Sequence, residues 1–130
     1  MKERVLVVMP PGDRDELIRS AKEGGFEFET VKNCEEARRL LGSRQDFHAV
    51  VTDLTLCDGN WWSVYRTLTA ADSPAEIVVA VPRKAANVAE ILAHGVFAVL
   101  FKPFERDEVL RTLQAAVAAE KSVVTHQAHA

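Results

Sequence analysis

Cysteine is scarce in this chain: Cys34 and Cys57 are the only two in 130 residues. Two thiols cannot build the disulfide framework of a small secreted domain, so reduced cysteines are expected. A basic surplus is also missing. Sixteen Lys and Arg face 19 Asp and Glu, for a net charge of -3 and a pI near 5.8. That excludes the broad positive field of a nucleic-acid-binding surface. Local pairs such as Arg38-Arg39 lie among acids, as on a solvated helix face. No apolar run approaches the roughly 20 residues that span a bilayer. The N-terminal region carries neither a long apolar segment nor a small-residue cleavage site, so no membrane association and a cytoplasmic location are expected. His48, His94, His126 and His129 have no spacing that builds a metal site with the cysteines.

Apolar residues are present in an ordinary proportion, 48%, beside 27% charged ones, which suits one globular domain with a single core. Arg4 to Met9 is a β-branched run suited to a strand buried on both faces. Pro10-Pro11-Gly12 ends it, and Asp13 is placed to cap a helix carrying Leu17, Ile18 and Ala21. Phe26 to Val31 alternates like a strand with one wetter face. Asn33 caps a second helix, with Glu36 in capping-box position. Phe47 to Thr52 reads as the third strand, followed by a loop from Leu54 to Asn60 and a helix with Trp62, Tyr65 and Leu68 at helical spacing. Ile77 to Val81 and Val96 to Phe101 supply two more strands around a helix from Lys84 to His94. The last helix begins near Glu105. The domain is therefore expected over 1–119, with 120–130 as an aperiodic tail or linker.

Strands alternating with helices predict an α/β fold: a doubly wound (βα)5, flavodoxin-like three-layer sandwich with a parallel five-stranded sheet. In such a sheet every strand ends at one edge, and ligands bind there. Two polar residues close apolar runs at that edge. Asp53 ends His48-Ala-Val-Val-Thr-Asp53, and Lys102 ends Val96-Phe-Ala-Val-Leu-Phe-Lys102 just before Pro103. Met9, Pro10 and Ala80 close the other strands there.

These marks, with Gly95 ahead of the lysine and Phe104 after the proline, resemble the receiver domain of bacterial two-component response regulators over residues 4 to 118. The resemblance implies strand order 2-1-3-4-5. It implies Asp53 as the phosphoacceptor, charged by a histidine kinase or phosphotransfer protein, and Lys102 as the counter-charge on the phosphoryl group. It implies Mg²⁺ held by Asp53 and the backbone carbonyl of Thr55, and a cis Lys102-Pro103 bond. An output domain beyond residue 130 and a homodimer through the fourth helix, fifth strand and fifth helix (Ala89, Leu92, Val99) are the partners it implies. The sequence also departs from the family pattern. Met9 and Pro10 stand where receivers carry the acidic pair that binds Mg²⁺, Ala80 replaces the switch Ser or Thr, and Val99 replaces the switch aromatic. Cys57 replaces a proline and Trp61 a glycine.

Mg²⁺ wants near-octahedral oxygen ligation, and neither Met9 nor Pro10 offers a side-chain oxygen. Asp13 is the one nearby acid able to reach in, though helix capping is its expected role. Trp62 is expected in the core by its spacing, and Trp61 as the exposed anchor for a partner. Three functions stay open. The first is a receiver in a phosphorelay, with Asp53 as acceptor and degenerate Mg²⁺ chemistry. The second is a pseudo-receiver acting through protein contacts. The third is a small flavodoxin-like cofactor binder or enzyme, and it is disfavoured. Pro10-Pro11-Gly12-Asp13 lacks the glycine spacing of a phosphate loop, so no enzyme is expected.

Overall fold

The computed structural model describes residues 2–44, 46–84 and 87–128. Among them five long strands alternate with five helices: β1 (Arg4–Val8), α1 (Pro11–Ser20), β2 (Glu27–Val31), α2 (Cys34–Ser43), β3 (Ala49–Asp53), α3 (Trp61–Ala70), β4 (Glu76–Pro82), α4 (Val88–Ala93), β5 (Ala98–Lys102) and α5 (Arg106–Ala128). The strands form one parallel sheet in the order β2-β1-β3-β4-β5. This is the doubly wound flavodoxin-like arrangement expected of the pattern.

The two-residue period of a strand divides the core into two layers. Leu6, Val8, Val50, Val79 and Val81 point to one face, where Leu41, Trp61, Val64, Leu68 and Ile91 cover them. Val5, Val7, Met9, Val51, Val78 and Ala80 point to the other, under Leu17, Val109, Leu113 and Ala116. β1 and β3 are covered on both sides, which is why they read as unbroken apolar runs. Burying one Val or Leu of such strands contributes about 1.5–3 kcal/mol, so these two layers dominate the stability. β2 lies at the sheet edge, and its exposed Glu27 and half-buried neighbours explain its alternation.

Four details differ from the sequence reading. The connection after β3 is not a plain loop: Thr55–Leu56 pairs antiparallel with Gly59–Asn60 in a small hairpin. α4 begins at Val88, behind a turn at Arg83 and Lys84, with Ala85 and Ala86 outside the described residues. α5 continues through Ala128, because the stretch from Glu120 to Ala128 contains neither Gly nor Pro to stop it; His129 and Ala130 lie outside the described residues. Finally, Asp13 does not cap α1. Pro10 holds the N-cap position in extended conformation and Pro11 starts the helix, as a residue with no N–H to satisfy can. The Asp13 carboxylate is left to bond elsewhere.

Candidate functional site

β3, β4 and β5 lie side by side, with Asp53 in register with Ala80 and Ala80 with Leu100. Lys102 follows Leu100 by one full strand period, so its side chain leaves the sheet on the same face. Its Nζ donates to Asp53 Oδ1 at 2.6 Å and to Asp13 Oδ2 at 2.9 Å. Asp53 Oδ1 also accepts the Leu54 backbone N–H at 3.1 Å. One ammonium thus joins the first turn of α1 to the ends of β3 and β5. The Asp53 side chain is 10% exposed and that of Asp13 40%, so the Asp53 limb is far less screened by water. Burial of Lys102 works against its charged form, but hydrogen bonds and charge from Asp53 and Asp13 outweigh it, and its pKa stands above the ordinary lysine value.

The surroundings of this triad are poor in oxygen. Met9 is fully buried in the α1–α5 layer, and its N–H is spent on the Val31 carbonyl at 3.1 Å. Pro10 is exposed. Ala80 is fully buried and carries no hydroxyl, and Val99 is half-buried against the opposite layer. Thr55 sits in the hairpin opposite Asn60. A six-coordinate Mg²⁺ does not fit these residues. The two carboxylates that face the site each commit an oxygen to Lys102. No third acidic side chain stands at the Met9 and Pro10 positions. The Lys102-Pro103 peptide is cis.

The two tryptophans exchange the roles expected of them. Trp61 is buried, at 9% exposure, and Trp62 is open, at 38%. The buried stripe of α3 is Trp61, Val64 and Leu68, one residue out of phase with the stripe drawn through Trp62 and Tyr65. Asn60 caps the helix: its side chain accepts the Trp62 N–H at 3.0 Å, while the Trp61 N–H reaches Leu54 O at 3.1 Å. Trp62 stacks on Tyr65 with ring centroids 5.3 Å apart and lies 4.9 Å from the His94 ring, and Trp61 abuts the same histidine at 5.7 Å.

Sequence reasoning missed the role of Asp58. Its carboxylate accepts the N–H groups of Cys34 at 2.8 Å and Glu35 at 3.0 Å, tying the post-β3 hairpin to the start of α2. Burial, then the neighbouring Asp58, push the Cys34 thiol up to about 11, so it is protonated and inert at neutral pH. Cys34 and Cys57 are both free.

No family model matches the chain. Solved structures do. A response regulator receiver domain protein from Clostridium thermocellum aligns over 95% of this chain and 99% of its own, with TM-score 0.82 and 14% identity. The receiver domain of a sensor histidine kinase from Pseudomonas aeruginosa, with magnesium coordinated in its active-site cleft, covers 91% and 99% at TM-score 0.79 and 21% identity. A structure described as an adenylate cyclase from Rhodopirellula baltica covers 98% and 96% at TM-score 0.86 and 19% identity. The chain has the receiver-domain fold of response regulators.

Proposed function

We propose that this chain is a receiver-type signalling module that works through protein contacts, with Asp53 held in an ion-paired cluster instead of serving as a routine phosphoryl acceptor. The observation that carries this reading is the double engagement of Lys102 by Asp53 and Asp13, beside the apolar Met9 and Pro10. Phosphoryl transfer to a carboxylate depends on positioning and charge neutralisation. Losing one preorganised electrostatic group costs on the order of 10²–10³ in rate, and this site lacks an acidic pair as well as a switch hydroxyl. The partner surface we assign is the face of α4, β5 and α5, where Leu92 is 43% exposed beside exposed Ala89 and half-buried Val99. A second copy of the chain and an output domain are the occupants the fold resemblance suggests. Sedimentation of the wild type against Leu92→Glu separates them: a dimer lost in the variant assigns the face to self-association.

A second reading keeps Asp53 as the phosphoacceptor, served by a histidine kinase or phosphotransfer protein. It is favoured by the position of Asp53 at the carboxyl end of β3 with a lysine 2.6 Å away. Intact mass after incubation with a small-molecule phosphodonor and Mg²⁺ decides. The contact-module reading expects no adduct while an ordinary receiver in the same tube is labelled. A phosphate adduct that vanishes in Asp53→Asn would overturn it and establish the phosphorelay reading.

A further inference from the structure

We propose that the Lys102 ammonium is the resident cation of this site and that, clamped between Asp13 and Asp53, it closes the domain to divalent metal. The two carboxylates come from separate elements, the first turn of α1 and the end of β3, yet both reach one nitrogen, at 2.9 and 2.6 Å. An ammonium has three protons to donate, and two of them are spent on these acids. Asp13 is free for this because Pro10 and Pro11 start α1 without a side-chain cap. A metal ion arriving from solution has to displace a cation tethered to the chain, whose effective concentration is on the order of millimolar or more. Mg²⁺ also gives up its waters reluctantly, and Met9 and Pro10 return no side-chain oxygen for them. Remove the ammonium, and two carboxylates are left facing one another with no positive charge between them. That arrangement attracts a divalent ion, so loss of Lys102 creates metal affinity where the intact chain has none.

Exclusion of metal by the Lys102 ammonium is read without any phosphodonor, so it stands or falls separately from the acceptor role of Asp53. Mn²⁺ is titrated into the full chain while free Mn²⁺ is followed by electron paramagnetic resonance. The wild type is expected to show no saturable binding up to about 10 mM. Lys102→Met, checked for folding by circular dichroism, is expected to bind at least ~tenfold more tightly, and adding Asp13→Asn to it to return the affinity towards wild type. Saturable wild-type binding below about 1 mM that Asp53→Asn abolishes, or a folded Lys102→Met that binds no better than wild type, would overturn the proposal. A second measurement needs no variant: amine-labelling of Lys102 in the wild type, read by peptide mass, with and without Mg²⁺. Unchanged labelling is the expected result. A several-fold rise with Mg²⁺ would mean that metal displaces the lysine, and would sink the idea even if Lys102→Met fails to fold.

Discussion

Lys102 shows how a partly buried charge is kept. Burial disfavours its ammonium, and Asp53 and Asp13 more than restore it, so the folded-state pKa lies above the ordinary 10.5. A raised lysine pKa contributes stability that is fully present below 10.5 and is lost as pH rises through the folded value. Urea unfolding on either side of that value is therefore expected to show an alkaline loss of stability that Lys102→Met does not share. An equally steep loss in the variant would contradict the assignment. The tryptophans give a second contrast. Trp61→Ala removes a buried ring and is expected to cost about 3–5 kcal/mol. Trp62→Ala loses chiefly the stack on Tyr65 and the nearby His94 contact, about 1 kcal/mol. Denaturant titrations of the two variants measure the difference, and similar costs would mean that both rings are core.

Among the elements, α2 has the most completely satisfied N-terminus. Asn33 accepts the Glu36 N–H at 2.9 Å, and the Glu36 side chain turns back to the Lys32 N–H at 3.0 Å. Asp58 takes the Cys34 and Glu35 donors from across the fold. Asp58→Ala leaves those two N–H groups to water and is expected to cost about 1 kcal/mol. Hydrogen exchange at Cys34 and Glu35 should accelerate in the variant, and unaltered protection would show that the cap is dispensable. At the end of α4 the chain turns through Gly95 at φ +100, a conformation that an L side chain rarely adopts. A Cβ there would also sit 3.2 Å from Tyr65 Oη. Gly95→Ala is accordingly expected to cost on the order of 1–2 kcal/mol in unfolding free energy.

For the molecule as a whole, acids stand at both ends of the sheet, and burial decides how pH acts on those away from the Asp53 edge. At the Asp53 edge acids are paired with Lys102. At the other end, Glu76 opens β4 and Glu120 is buried on α5. Burial raises the pKa of both, Glu76 being raised further by the charge of Glu120, while His48 and Lys121 pull Glu120 partly back. A carboxyl raised in the fold binds its proton more tightly there than in the unfolded chain. Its ionisation therefore removes stability as pH rises from 4.5 through the folded value. Glu120→Gln should raise the melting temperature at neutral pH and flatten its fall between mildly acidic and neutral conditions. A variant that melts lower at neutral pH would show that the ionised Glu120 is stabilising.

Much of this arrangement is written locally along the chain. The β-branched runs and the alternation of Glu27 to Val31 specify strands, and a parallel (βα) succession sends Asp53 and Lys102 to one edge wherever the details fall. Asn33 and Glu36 announce the start of α2 because a cap acts within one turn. The remainder depends on how distant segments meet. Asp13 bonds Lys102 across 89 positions and Asp58 caps a helix 24 positions earlier, pairings that no periodicity encodes. The phase of α3 was also a tertiary matter. Successive helix positions differ by about 100°, and it was the packing of Trp61, Val64 and Leu68 in the core layer over the sheet that turned Trp61 inward and left Trp62 out. Composition and pattern settled the sheet and the edge that carries the site, because burial has a period. The partner of each charge was settled by folding, because hydrogen-bond geometry in three dimensions has none.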